Sequence, residues 1–352
     1  MSGGVDSSVA AARALELGYE ASGVTLKLLP RMDSGFGCCG SPEEIEDARR
    51  VCEKLGIAHY TLNLWELFDQ KVIRPFIDSY LNAETPNPCV ECNRHLKFGH
   101  LLDLARAWEV DYLATGHYAR VQELDGEHRL LRAIDAGKDQ SYVLYGLSAE
   151  ALSSVIFPLG ELTKPEVRQM ARRLELAVAD KPDSQEICFV PRRDYRGFVA
   201  SRAVALPSED KSALASGPIV DRSGKVLGRH GGLAQYTMGQ RSGLGIALGK
   251  PVYVVELDVE RNALVVGEAP EAYGKFFKVR EINWLAQVRK ISSNVRVKIR
   301  YRSSPVEACL RILDDPSLAE VSLAEPQWAP TPGQSAVFYD GERVLGGGII
   351  SR

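Results

Sequence analysis

No apolar run in this sequence reaches the roughly 18 residues a membrane helix needs. No secretory leader is recognisable either, so the expectation is a soluble, cytoplasmic protein. There is no large excess of charge of either sign. The net charge is only −3, so a surface for nucleic acid has to be local rather than global. There is no internal repeat and no low-complexity tract. The seven cysteines follow no framework spacing, which argues against a disulfide scaffold. Cysteines set in polar turns point instead to thiol or metal chemistry. What is present is length and apolar content. At 352 residues and 45% hydrophobic, the chain supports two or three domains with cores of their own.

The stretch Ser2-Gly3-Gly4-Val5-Asp6-Ser7-Ser8 organises the rest. It runs straight into Val9–Leu17, which is rich in Ala and Leu and reads as a helix, with Gly18 as its C-terminal stop. A small glycine-rich turn opening a helix presents backbone N–H groups and the positive end of the helix dipole. That combination seats an anion such as pyrophosphate. The lysine of the GxxxxGK[ST] loop is missing, which excludes that class of phosphate site. The seven residues resemble the SGGxDSS loop of the ATP-pyrophosphatase superfamily, whose members cleave ATP between its α and β phosphates. In such folds a buried strand precedes the loop. Here only Met1 does, and a longer native N-terminus is expected on that ground.

Residues 20 to 135 alternate short apolar strands with amphipathic helices. Strands are expected at 20–27, 59–63 and 111–115, and helices at 43–55, 64–80 and 95–108. This rhythm predicts an α/β fold with a doubly wound, mostly parallel sheet. Ligands sit at the carboxyl ends of such strands. The opening loop, Leu26 and Thr115-Gly116-His117-Tyr118 are therefore expected to share one crevice. Thr85 to Arg94 is a rigid proline-bearing loop carrying Cys89 and Cys92. That Cys-x-x-Cys is half of a zinc site, but Cys38 and Cys39 are adjacent rather than spaced as a second pair. Thr163-Lys164-Pro165-Glu166 is a capping box opening a helix whose charged face reads as solvated. A second polar loop, Asp180 to Phe189, delivers Cys188.

Beyond residue 193 glycines and short β-like runs replace the βα rhythm. The expected domains are 1–193 (catalytic), 194–268 (a small β-rich middle domain) and 269–352 (a C-terminal β-barrel). In Val295 to Arg302 apolar and cationic residues alternate. Period two would set Arg296, Lys298, Arg300 and Arg302 on one face, roughly 6.6 Å apart, as a row for a polyanion. Arg192, Arg193 and Arg196 form a second basic cluster.

The motifs taken together resemble the bacterial tRNA-specific 2-thiouridylase family. They are SGGVDSS at 2–8, TPNPCVECN at 85–93, ATGHYAR at 114–120, GKDQSY at 137–142, DSQEICF at 183–189, GQRSGLGI at 239–246 and TPGQSAVFYDGERVLGGGII at 331–350. The resemblance runs the whole length of the chain in one order. It implies ATP, with Mg²⁺, bound by Ser2, Gly3, Gly4, Val5, Asp6, Ser7, Ser8, Leu26 and Gly116. It implies Cys188 as the persulfide carrier and Cys92 as its partner, joined as a disulfide in part of the cycle. It implies Asn87, Pro88 and Cys89 at the target base. Further tRNA contacts are implied at His117, Lys138, Asp139, Gln140, Arg300, Tyr301 and Gln334. The implied partners are tRNA and a sulfur donor, either a cysteine desulfurase or a relay protein, acting on a monomer. Some members of the family carry Asp at the position of Cys89. The thiol here is a departure that removes an acid–base group, and with Cys92 and Cys188 it makes the donor set of an iron–sulfur cluster. Two rivals stand beside this reading. A synthetase amidating a small molecule would share the ATP loop but need no cysteine pair. A tRNA-binding protein without chemistry would need neither the intact loop nor the two cysteines.

Overall fold

The computed structural model describes residues 1–29, 40–183, 187–191, 194–203, 212–288 and 290–351. Cys38, Cys39, Ser184, Gln185, Arg192 and Arg193 lie outside them. Two compact units share the chain. One comprises residues 1–72, 89–193 and 342–344; the other comprises 73–88, 194–341 and 345–352.

In the first unit, α1 (Val5–Glu16) buries Val5, Ser8, Val9, Ala10, Ala12 and Ala14. Small side chains let it pack closely, and Gly18 at φ 89° follows its end. β1 (Gly23–Lys27) pairs in parallel with β2 (His59–Asn63), from Gly23 opposite His59 to Lys27 opposite Asn63. Between them runs α2 (Pro42–Leu55). Its N-cap is Ser41, whose hydroxyl accepts from the Glu44 N–H, and Gly56 ends it in the left-handed region at φ 71°. β3 (Leu113–Ala114) is followed by the hairpin of β4 (Ala119–Leu124) and β5 (Glu127–Arg132). β3 pairs in parallel with β6 (Val155–Ile156). Among the described residues of this unit the parallel strands thus come as two pairs. The hairpin turns at Asp125-Gly126, both at positive φ, the conformation that favours this dipeptide. The core gathers Val5, Val9, Val51, Tyr118, Leu159 and Val167.

The helices expected at 64–80 and 95–108 are interrupted. A π-helical stretch, Asp69–Ile73, separates Trp65–Phe68 from Arg74–Leu81. Pro75 accounts for the break, because it lacks an N–H and crowds the carbonyl four residues back. A longer π-helix, Cys92–His100, precedes Leu101–Ala107. There the Gly99 Cα lies so near the Arg94 carbonyl that a Cβ would sit 2.7 Å from its oxygen.

In the second unit, β7 (Gly217–Asp221), β8 (Val226–His230), β9 (Tyr253–Asp258) and β10 (Ala263–Gly267) form a sheet in the order β8-β7-β10-β9. Six strands follow: β11 (Tyr273–Trp284), β12 (Ile291–Lys298), β13 (Val306–Ile312), β14 (Ala319–Trp328), β15 (Ser335–Asp340) and β16 (Arg343–Ser351). They close into a barrel in the order β11-β14-β13-β12-β15-β16, with β16 returning to β11. Val279, Val297, Leu310, Val321, Leu323 and Phe338 fill it.

The expected cationic row does not form. β12 ends at Lys298 and the chain turns at 300–302, which breaks the period of two. Lys298 is buried with its ammonium 5.7 Å from the Tyr301 ring centre. Arg300 turns a guanidinium nitrogen to the Ala329 carbonyl at 2.6 Å. Arg296 and Arg302 remain exposed. No helix among the described residues is long and apolar enough to cross a membrane.

Candidate active site

The loop at residues 2–8 is shaped by its own serines. Ser2 N–H donates to Ser7 Oγ at 3.0 Å, and the Ser7 and Ser8 hydroxyls both donate to the Gly4 carbonyl, at 3.1 and 2.8 Å. Gly3 adopts φ +69° with its Cα against Glu44, where a Cβ would lie 2.4 Å from the Glu44 carbonyl oxygen. Gly4 is the N-cap of α1 and offers no side chain to its N–H groups. The first turn of the helix is thus left to a ligand's oxygens rather than to a capping group. Gly116 packs on the loop itself. A Cβ there would lie 2.7 Å from the Ser7 nitrogen and 2.8 Å from the Asp6 carbonyl carbon. Leu26 is buried near the end of β1.

Around the loop lies a tight ionic network. Asp6 accepts from the Tyr118 hydroxyl at 2.8 Å and from the Lys164 ammonium at 2.7 and 2.8 Å. Lys164 also reaches Asp183 at 2.8 Å. Asp183 takes Lys138 at 2.7 Å and Arg168 at 3.1 Å. Burial pushes the Asp183 pKa up, but hydrogen bonds from Lys138 and Lys164 outweigh it and hold the carboxyl at about 2. Burial, then the Asp6 charge, raise the Tyr118 phenol, which stays protonated as a donor. Lys181 donates to the Gly3 carbonyl and to Asp47, both at 2.9 Å. Three lysines and an arginine therefore face the loop and its neighbour Asp183.

Of the cysteines, Cys89 is exposed, while Cys92 and Cys188 are partly buried; all are thiols. Cys92 opens the π-helix. Among the described residues no group of three His, Cys, Asp or Glu is placed to hold a metal ion.

Three family models cover the chain: tRNA methyl transferase HUP domain at residues 1–192, tRNA methyl transferase PRC-barrel domain at 209–268, and aminomethyltransferase beta-barrel domain at 275–350. The "tRNA-specific 2-thiouridylase MnmA" of Heliobacterium modesticaldum is 48% identical, with 100% of this chain and 91% of that protein aligned. The protein of the same name from Halothermothrix orenii is 47% identical over 99% and 97%, and that from Moorella thermoacetica 48% over 99% and 98%. This chain belongs to the tRNA-specific 2-thiouridylase family.

As a 2-thiouridylase family member, the chain has several of its expected RNA-contacting residues engaged within its own fold. Asp139 is buried, accepting from Arg132 and from the backbone N–H groups of Ala133 and Ser141. Gln140 Oε1 accepts from the Tyr118 N–H at 2.9 Å, and Lys138 is spent on Asp183. His117 is buried between Phe98 and Phe157, bonded to Thr115 at 2.9 Å. Burial, and then the charge of Lys97, keep its pKa well below the ordinary histidine value, so the ring is neutral. Tyr301 is exposed. In the second unit, Gln334 donates to the Thr85 carbonyl at 2.9 Å, and the Thr85 N–H donates to the Pro332 carbonyl at 2.8 Å. That pair holds the entry to Asn87 and Pro88. Tyr118, expected in the same crevice as the loop, reaches it through Asp6; Lys164, Asp183 and Lys181 are residues that motif reading missed as site groups. The signal for Lys164 was present: a lysine at the first position of a capped helix, in a chain whose phosphate loop has no lysine of its own.

Proposed function

We propose that this chain replaces O2 of the wobble uridine of tRNAs for Lys, Glu and Gln by sulfur, at the expense of ATP. The observation that carries the reading is the uncapped α1 N-terminus, ringed by cations, in the same compact unit as the thiols Cys92 and Cys188. The pyrophosphate of ATP fits the loop: Gly3 and Gly116 let it pack closely against Glu44 and against residue 116, its first helical N–H groups are left for phosphate oxygens, and Lys164 and Lys181 supply positive charge. Mg²⁺ accompanies the nucleotide, and Asp6 is the carboxylate within the loop.

Uridine O2 attacks the α-phosphorus and pyrophosphate leaves with the bonding pair, so the oxygen becomes part of a good leaving group. The terminal sulfur of a Cys188 persulfide then attacks C2, and AMP departs. The Cys92 thiolate attacks the Cys188 sulfur, which releases 2-thiouridine and leaves a Cys92–Cys188 disulfide for an external thiol to reduce. Alternatively, Cys92 attacks first and liberates sulfide as the nucleophile. Sulfane sulfur arrives from a cysteine desulfurase or a relay protein, and the enzyme acts as a cytoplasmic monomer. Asn87, Pro88 and Cys89 meet the base; Gln334 acts by holding the Thr85 and Pro86 carbonyls just before them, and Asp139 and Gln140 by holding the backbone at Ala133, Ser141 and Tyr118. Arg300 and Tyr301 are at a turn suited to phosphate and stacking contacts. Cys89, Cys92 and Cys188 are not grouped as metal ligands among the described residues. Methyl transfer, the reaction in two of the family-model labels, would need neither the anion loop nor two thiols.

Incubation with ATP, a sulfane sulfur source and unmodified tRNA tests the reading. Wild type is expected to form 2-thiouridine with stoichiometric AMP, and Cys92→Ser and Cys188→Ser to form none. AMP produced without thiolated tRNA, or full turnover by Cys92→Ser, would move the chain to the amidating synthetases.

A further inference from the structure

The motif at 239–246 has no part in the site at residues 2–8. It lies in the second unit, as a loop pinned at both ends and bare in the middle. Gly239, at φ +78°, lies on Trp328, where a Cβ would stand 2.5 Å from the indole nitrogen. The Gly239 N–H donates to the Val254 carbonyl at 2.8 Å, and the Val254 N–H to the Gln240 carbonyl at 2.9 Å. The Gln240 side chain accepts from the Thr237 N–H at 3.2 Å and donates to the Ser242 carbonyl at 2.8 Å. Leu244 is buried. Gly243, at φ +75°, lies against Arg196, where a Cβ would stand 3.4 and 3.6 Å from the two terminal guanidinium nitrogens. A loop held this way orders little on binding. Between the pins its backbone is unspent: the N–H groups of residues 241 to 245 donate to no acceptor among the described residues.

Two cations accompany those donors. Arg241 is exposed on the loop itself. Arg196 has its guanidinium carbon 5.8 Å from the ring centres of both Tyr195 and Tyr236. Tyr195 is fixed in turn, stacked on Tyr80 at 4.9 Å with its hydroxyl donating to the Gln235 carbonyl at 3.0 Å. Neither arginine pairs with a carboxylate among the described residues. Asp194, two residues before Arg196, accepts from the Gly197 N–H at 2.9 Å. A guanidinium held by aromatic faces rather than by an acid keeps its donors for a ligand. Unspent N–H groups on a glycine-bearing loop beside two such cations suit phosphodiester oxygens. We propose that residues 239–245, with Arg196 and Arg241, bind the sugar–phosphate backbone of the substrate tRNA. This contact sets affinity and leaves the target base to be read elsewhere. It rests on tRNA being the substrate, and the experiment separates the two.

Binding of unmodified tRNA for Glu, and of a tRNA outside the three acceptors, is measured by filter retention between about 50 and 200 mM salt. Arg241→Ala and Arg196→Gln are each expected to raise Kd about tenfold, the factor that one charge-assisted hydrogen bond supplies. Each should also reduce the slope of log K against log salt by about one, equally for both tRNAs. Arg241→Lys should keep the wild-type slope. In thiolation assays KM for tRNA rises with Kd, and kcat at saturating tRNA stays at the wild-type value. Arg241 is exposed, so its variants decide the matter if Arg196→Gln does not fold. An Arg241→Ala protein with wild-type Kd and slope overturns the site. A loss confined to the tRNA for Glu overturns it too, because a backbone contact carries no sequence. Wild type that binds tRNA with the expected slopes but forms no 2-thiouridine overturns the thiolation reading and leaves the site standing. Wild type that binds no tRNA overturns both.

Discussion

Asp183 shows what a single residue decides here. Its carboxyl titrates near 2 in the folded chain against an ordinary value of 3.8, and its side chain is 24% exposed. A depressed carboxylate contributes stability above its unfolded pKa and loses it as pH falls through the folded one. The contribution, on the order of 2 kcal/mol, is therefore complete above about pH 5 and fades toward pH 2. Asp183→Asn is expected to lower the urea midpoint at pH 6, and the gap to wild type should narrow steadily as the pH is lowered to 3. A gap of constant size would show that the charge is not what Asp183 contributes. Gly116 teaches a different lesson. A glycine beside a nucleotide loop suggests close approach of a ligand, but this one is required by the loop's own backbone at Ser7 and Asp6. The glycine was legible in the sequence; its neighbour was not.

At the scale of elements, local chemistry wrote the helix ends clearly. Ser41 and Gly56 bracket α2 as cap and stop, and Asp125-Gly126 carries a hairpin signal between β4 and β5 that alternation alone passed over. A Cβ on Gly56 would meet nothing within 4 Å, so only the left-handed backbone is at stake. Gly56→Ala is expected to cost about 1 kcal/mol by denaturant unfolding, with ATP binding unchanged. The π-helix from Cys92 to His100 was not legible. Its residues suit an ordinary helix, and what sets the wider turn is a backbone approach between Gly99 and Arg94 that composition does not record. β12 failed for a related reason. Alternation predicted strand through Arg302, but pairing with β13 and β15 ends by Lys298, and past the last ladder bond the period has nothing to enforce it.

The whole molecule is threaded rather than strung. The first compact unit closes with residues 342–344. Arg132 N–H donates to the Glu342 carbonyl at 2.9 Å, Arg120 pairs with the Glu342 carboxylate at 2.8 Å, and Arg343 pairs with Glu127. A chain truncated after residue 193 loses these bonds along with residues that β5 pairs against. It is expected to melt several degrees below the full-length chain, in the range that a loss of 1–2 kcal/mol produces, and a separate peptide of residues 335–352 should not restore it. An unchanged melting temperature would show the first unit to be self-sufficient.

The sequence by itself determined the chemistry-bearing motifs, the α/β class with β domains after it, and most element ends. These rest on short-range rules: glycine in the left-handed region, serine at a cap, a period of two or 3.6. Only the tertiary structure decided which polar side chains are spent internally. Lys164, Asp139 and Gln334 look like surface groups in one dimension. Their partners, Asp6, Arg132 and the Thr85 carbonyl, stand 158, 7 and 249 residues away. Burial makes such pairs obligatory, because an ammonium or carboxylate taken out of water must find its counter-charge or hydrogen bonds wherever the fold brings them.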